Sequence, residues 1–367
     1  MSFSNRFASR LTVAAFCLIA MTSNMFHNAL AAPQPLDLSW TSEYSPNTDK
    51  LLTIGIVAAE DDFEAIAEAY AEASEYMKNL TGVDFAFMSG ESYADVIDPL
   101  VDGDIQFALL GASGYVTAYL QSNGTVEPIL TAVEEGGVTG YYSIVVVRCD
   151  SGIESLDDLA GKTIGKFLFS IRIIIFLIIT IIMFSSIVTI TIYSYLSFDY
   201  LFFDFLLLFI AFADPESTSG FAVPYYSMVH YEEIDPAIYF ENTTFSGSHE
   251  TGVLDVRDGI VDAAATFSSG DLTMVTILVA QEKLDEDEIC TIWTSPEIFN
   301  GPFTAGPEVT PVMIRDIQTV MERMVTEDPI AFDAVSWEDQ VDWVEVDHFD
   351  YEPIVGIREW LSTFVDG

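Results

Sequence analysis

The chain has 367 residues, enough for two ordinary domains, and outside one apolar run its composition is that of a globular protein. It carries 13 Lys+Arg against 57 Asp+Glu, a net charge of −44, which argues against nucleic acid and anionic membrane surfaces as partners. The acidic shell suits a salty medium, and any anion ligand approaching it must be held by short-range donors.

The N-terminus combines Arg6 and Arg10, an apolar stretch from Leu11 to Met21 and the small-residue run Ala29-Leu30-Ala31-Ala32 before Pro33. This pattern predicts a secretory signal over residues 1–32. Cys17 leaves with it, and Cys149 and Cys290 remain as either one disulfide or two free thiols. Asn79-Leu-Thr, Asn123-Gly-Thr and Asn242-Thr-Thr are glycosylation acceptors if the host secretes through an endoplasmic reticulum.

After a polar lead-in, Leu51–Ala58 reads as a buried strand and Asp61–Leu80 as an amphipathic helix. Val83–Met88 is a second strand, leading through Ser89-Gly-Glu-Ser-Tyr93 into a helix that runs to Leu100. Ile105–Leu110 is a third, ending in Gly111-Ala-Ser-Gly-Tyr115 before another helix. Such alternation predicts a parallel sheet with ligand groups at the carboxyl ends of its strands, where Tyr93 and Tyr115 fall. Tyr142–Arg148 is the next strand, followed by a capped helix and turn over Ser151–Lys162. Further on come a strand at Ala237–Phe240, a helix opened by Gly247-Ser-His249-Glu250, and a strand at Gly259–Ala265. The chain crosses back near Ile289–Trp293, loops through Ser295–Pro302, and is mostly helical from Pro311 to Gly367. Two α/β lobes joined by crossing strands account for this order: 48–140 with 295–367, and 141–294.

Within the second lobe, residues 166–211 form an apolar insertion whose hydropathy matches one or two membrane spans. It lacks basic flanks, however, and interrupts the strand that should feed the following turn. Its Ile, Phe, Leu, Ser and Tyr are residues of A/T-rich codons, and Gly165-Lys166-Phe167 and Ile210-Ala211 can be encoded by donor-like and acceptor-like splice sequences. A retained, translated intron is the favoured reading, and a membrane anchor the alternative.

The turn itself, Phe212-Ala-Asp-Pro-Glu-Ser-Thr-Ser-Gly220, places Ser217, Thr218 and Ser219 between a Pro turn and a Gly. Hydroxyls and the free N–H groups of a helix start can converge there on an oxyanion. Taken alone the same three residues could serve simply as a helix cap.

An ordered set of motifs adds to this. Ser151-Gly-Ile through Leu159-Ala-Gly-Lys162-Thr, the split FADPESTSGF with Pro224, Gly247-Ser-His249-Glu250, Val261-Asp262-Ala-Ala-Ala and Ser295-Pro-Glu-Ile resemble the phosphate/phosphite/phosphonate-binding proteins of ABC importers. The resemblance covers nearly the whole mature chain apart from the insertion. It implies a type II periplasmic-binding fold of two α/β lobes joined by hinge strands, closing on a phosphorus oxyanion for delivery to an ABC permease. Ser217, Thr218 and Ser219 then resemble the family's oxyanion donors, His249 a second-lobe donor, and Tyr93 a first-lobe phenol. Tyr141 or Tyr142 matches a hinge tyrosine, and Tyr115 is a further candidate. Where the family loop often reads Ile-Pro-Asn-Asp-Pro, this chain has Ile298-Phe-Asn-Gly301-Pro, so the ligand-facing acid is absent. Asp262 or Asp271 is left as acceptor for a ligand proton.

The implied function is binding without cofactor or metal. A phosphoester hydrolase would need a nucleophile with its base or a metal cluster. The four His of the chain include His27 in the leader, and none pairs with Asp at metal-ligand spacing.

Overall fold

In the computed structural model, the residues described are 34–36, 38, 51–57, 63–90, 92–134, 136–160, 209–240, 242–336 and 340–365. Residues 1–33, where a secretory signal is expected, and nearly all of the apolar insertion lie outside them. Among the described residues no helix is long and apolar enough to cross a membrane.

The first sheet grows from short apolar runs that only a doubly covered sheet can bury. It contains β1 (Leu52–Val57), β2 (Phe85–Gly90), β3 (Phe107–Leu109), β4 (Glu127–Glu134), β12 (Pro302–Ala305) and β13 (Gln340–Glu345). Their spatial order is β13-β4-β12-β3-β1-β2, with β1 parallel to both β2 and β3 and β12 inserted antiparallel between β3 and β4. The helix α1 (Phe63–Thr81) buries Ala73, Tyr76, Met77 and Leu80, one helical stripe, against one face of this sheet. The helices α2 (Ala94–Asp102) and α3 (Ala112–Gln121) cover the other.

The second sheet contains β5 (Gly140–Arg148), β6 (Phe209–Phe212), β7 (Asn242–Phe245), β8 (Ala263–Ser269) and β10 (Ile289–Thr294), ordered β10-β5-β8-β6-β7. The short β9 (Leu272–Thr273) pairs with β8, and β11 (Ile298–Phe299) with the start of β5. The run Ser143 to Val147 of β5 is fully buried, as expected of a strand covered on both faces. One face packs on α7 (His249–Arg257) and α8 (Met274–Ala280), the other on α4 (Leu156–Ala160), α5 (Val223–His230) and α6 (Pro236–Tyr239). Cys149 and Cys290 are joined, their Cα atoms 5.0 Å apart, which ties the end of β5 to β10.

The chain passes between the sheets after β4 and returns after β10 through β11 into β12. After β12 come α9 (Pro311–Glu327), α10 (Pro329–Val335), β13 and α11 (Glu352–Val365). The last helix lies against both α3 and α5, so it touches elements of both sheets.

Three sequence expectations change. The strand expected at 237–240 is replaced by a helical turn, Pro236–Tyr239, whose start Asp235 caps by accepting from Ala237 N at 3.0 Å, and the strand follows at Asn242–Phe245. Strands β4 and β13 carry weak apolar patterns and are absent from the sequence reading. The strand feeding the hydroxyl turn begins at Phe209, so the last residues of the apolar run supply its start.

Candidate functional site

β6 emerges between β7 and β8 and delivers Ala213-Asp-Pro-Glu216 as a tight turn. The Asp214 side chain accepts from Glu216 N at 2.8 Å, and the Asp214 carbonyl from Ser217 N at 3.0 Å. Ser217 then adopts extended backbone and caps a π-helical turn, Thr218–Ala222, its Oγ accepting from Gly220 N at 3.0 Å. The chain continues directly into α5. Ser217, Thr218 and Ser219 are all buried, at 1, 2 and 3 % exposure, which is unusual for three consecutive hydroxyls and requires partners.

Those partners come from both sheets. Ser217 Oγ lies 3.2 Å from His249 Nε2, and the other ring nitrogen, Nδ1, lies 3.2 Å from Thr266 Oγ1 on β8. Ser248 holds His249 at the first position of α7 by capping Thr251 N at 3.0 Å. Burial lowers the His249 imidazole from its ordinary 6.5 to about 4, so it is neutral at physiological pH. The Ser219 carbonyl accepts from Ser143 Oγ of β5 at 2.6 Å.

From the first sheet, Thr218 Oγ1 accepts from Ser113 N at the start of α3, at 2.8 Å. The Tyr93 phenol engages Ser217, and Tyr141 engages both Ser219 and Thr218. Burial raises both phenols above their ordinary range, so each remains a neutral donor. Both residues keep part of their surface accessible at the junction of the two sheets.

Six of the residues read from the sequence thus meet at one place: Ser217, Thr218, Ser219, His249, Tyr93 and Tyr141. Strand alternation separates the two hinge tyrosines, because Tyr142 pairs with Ser268 and faces the opposite side of β5 from Tyr141. Tyr115 is not part of the group. The helix α3 begins at Ala112, so Tyr115 sits inside it at 0 % exposure, with its hydroxyl 2.8 Å from His348 Nδ1. Asp262 lies at the opposite end of the sheet, where its carboxylate accepts from Phe209 N at 2.8 Å. Asp271 is exposed between β8 and β9.

Gly301 has a steric basis. A Cβ there would stand 2.1 Å from the Leu110 carbonyl oxygen and 2.9 Å from Gly111 Cα. The loop before β12 therefore approaches α3 too closely for any side chain. Gly220 is similarly enclosed: a Cβ would meet Ala213 Cβ at 2.5 Å, Ser217 Oγ at 2.7 Å and His249 Cε1 at 2.9 Å.

Two carboxylates adjoin the turn. Burial raises Asp214 above the usual carboxylate range, a shift added to by the Glu216 charge and opposed by the Glu216 and Tyr93 N–H groups. Glu216 accepts from Thr117 of α3 and is paired with Arg358 of α11 at 2.7 Å, while Arg358 also donates to the Pro215 carbonyl at 2.7 Å. Sequence reasoning missed Arg358, Thr117 and Ser113 because their partners are about a hundred residues or more away. Among the described residues no cluster of three or more His, Cys, Asp or Glu could hold a metal ion.

Residues 54–166 and 208–351 match the profile of a family described as the periplasmic substrate-binding protein of phosphonate ABC transporters. The chain belongs to this family. The match stops at 166 and resumes at 208, so the intervening residues correspond to nothing in it. Family members are transport proteins that bind substrates. The phosphate-import protein PhnD of Mycolicibacterium smegmatis is 24% identical over 290 residues, 77% of this chain and 73% of its own. The phosphonates-binding periplasmic protein of Escherichia coli is 26% identical over 279 residues, 72% of this chain and 66% of its own. Among solved structures, a binding-protein component of an ABC phosphonate transporter from Pseudomonas aeruginosa superposes with a TM-score of 0.63 at 19% identity, covering 84% of this chain and 85% of that one. PhnD1 of Prochlorococcus marinus, solved with methylphosphonate, gives 0.59 at 16% identity over 85% and 98%. These likenesses establish the two-lobed periplasmic-binding fold.

Proposed function

We propose that this chain is a secreted solute-binding protein that closes its two lobes on a phosphonate, phosphite or phosphate and presents it to an ABC permease. The observation carrying this reading is the buried Ser217-Thr218-Ser219 helix start, met by neutral His249 from its own lobe and by Tyr93 and Tyr141 at the junction with the other. Each group is a neutral donor, and a helix N-terminus adds about half a positive charge. Hydrogen bonds to a charged acceptor in such a desolvated place are worth about 1.5–3 kcal/mol each. The two curated relatives are named for phosphate import and phosphonate binding, which supports this ligand class. Titration calorimetry with methylphosphonate, phosphite and phosphate tests it: micromolar or tighter binding of at least one is expected, and no binding of any rejects it.

Secretion rests on the N-terminal leader and accords with the Cys149–Cys290 disulfide. The gap in the family match at 167–207 supports the retained-intron reading of the apolar run. Sequencing the mature transcript decides this point, since a message that keeps the segment rules the intron out.

A further inference from the structure

We propose that the first turn of α3 is a second anion-binding face of this site, with the Ser113 hydroxyl donating directly to the bound oxyanion opposite Ser217–Ser219. The inference rests on the oxyanion-binding reading above and adds a residue to it. Ser113 is 0 % exposed, and its Oγ has no hydrogen-bond partner. A buried hydroxyl without a partner is destabilising unless something outside the chain completes it.

Its surroundings identify what that is. The N-cap of α3 is Gly111, which has no side-chain oxygen, so the helix start cannot cap itself. The Ser113 N–H is capped from the other lobe, by Thr218 Oγ1 at 2.8 Å. The flanking residues adjoin the same groups: a Cβ on Gly111 would stand 3.0 Å from Thr218 Oγ1, and one on Gly114 3.5 Å from Tyr93 Cδ1. Ser113 therefore lies between the two groups that already define the site. The helix α3 is ten residues long and presents its positive end there, next to the helix start that follows Ser217. Two adjoining helix N-termini, each carrying a buried serine, form a cradle for a tetrahedral oxyanion. Its oxygens supply the partner that Ser113 Oγ lacks and compete with Thr218 for the Ser113 N–H.

The test compares Ser113→Ala, Ser217→Ala and the unaltered full chain by calorimetry with methylphosphonate, phosphite and phosphate at fixed salt, alongside ligand-free melting curves. Removing a hydroxyl bonded to a charged acceptor should weaken the anion bound by the unaltered chain about tenfold to a hundredfold. The ligand-free melting temperature of Ser113→Ala should be unchanged or raised, because an unpartnered polar atom has been removed. Affinity within twofold of the unaltered chain overturns the proposal, and so does a lowered ligand-free melting temperature, which would mark Ser113 as a packing residue. Loss of binding in Ser217→Ala with none in Ser113→Ala rejects the Ser113 role alone. Failure of the unaltered chain to bind any of the three anions rejects the functional reading and this proposal with it.

Discussion

Acidification should unfold this protein partly through His249, and the effect can be isolated. The ring is buried between Ser217 and Thr266, and burial lowers it from 6.5 to about 4. Between those values the unfolded chain binds a proton that the folded chain refuses. The stabilisation is therefore complete above pH 6.5 and is lost progressively as pH falls toward 4. At about 1.4 kcal/mol per pH unit the loss amounts to about 3 kcal/mol by pH 4. Other groups also titrate in this range, and protonating carboxylates relieves the self-repulsion of a chain with net charge −44. The informative quantity is thus the difference in stability between the unaltered chain and His249→Gln, which keeps a polar amide but cannot titrate. Urea unfolding of both proteins at several pH values from 7 to 4 gives that difference, and it should change by about 3 kcal/mol in the variant's favour as pH falls. A difference constant to within about 1 kcal/mol would refute a buried neutral histidine, as would an imidazole resonance titrating with its midpoint near 6.5.

Other outcomes follow from the same geometry. The Cys149–Cys290 bond spans 141 residues of sequence, and the loop-closure relation gives it up to about 5 kcal/mol of stabilisation. Cys149→Ala/Cys290→Ala should therefore melt well below the oxidised protein, and equal melting temperatures would contradict the bond. Gly220→Ala forces a methyl against Ala213, Ser217 and His249, so it should destabilise by about 1–3 kcal/mol and weaken anion binding, both readable in one set of ligand-dependent melting curves. Tyr141→Phe should weaken the anion about tenfold while Tyr142→Phe leaves it within about twofold; equal effects in calorimetry would contradict the assigned facing of β5.

Much of this architecture is legible in the sequence because the strands covered on both faces are largely apolar runs bounded by turn residues, as in Leu52–Val57 and Ser143–Val147. The hydroxyl turn is legible for a similar reason: its signals, from Pro215 to Gly220, are contiguous. What escapes is set by partners distant in the chain. Glu127-Pro128 opens β4 with residues that usually avoid strands, and only pairing with β12 and β13 makes it one. Pro236 reads as a strand breaker or a helix start according to whether Asp235 caps it, and here it does. Tyr115 falls at a strand end only if the helix after β3 starts beyond it. With Gly111 as N-cap, the 3.6-residue period turns Tyr115 into the core. The same early start brings Ser113 to the junction of the lobes, a placement no local motif signals.

How a chain of this charge can hold an anion is answered by the immediate neighbourhood of the turn. Coulomb interactions between separated surface charges are damped over about 8–10 Å at ordinary salt, so the field at Ser217 is set by its nearest groups. Of the two adjoining carboxylates, Glu216 is neutralised by Arg358 and held by Thr117, and Asp214 is pushed by burial toward its protonated form. The groups that meet the turn are hydroxyls, phenols, a neutral imidazole and helix starts, none of which needs a counter-charge of its own when the site is empty. A lysine or arginine in the same buried place would be costly to desolvate without an anion. Neutral donors avoid that penalty, and their strength appears when a charged acceptor arrives. Arg358 thus works one step removed: it takes no place among the donors, but by neutralising Glu216 it keeps the approach to them from being repulsive, and it does so while joining the C-terminal helix to the second lobe's turn.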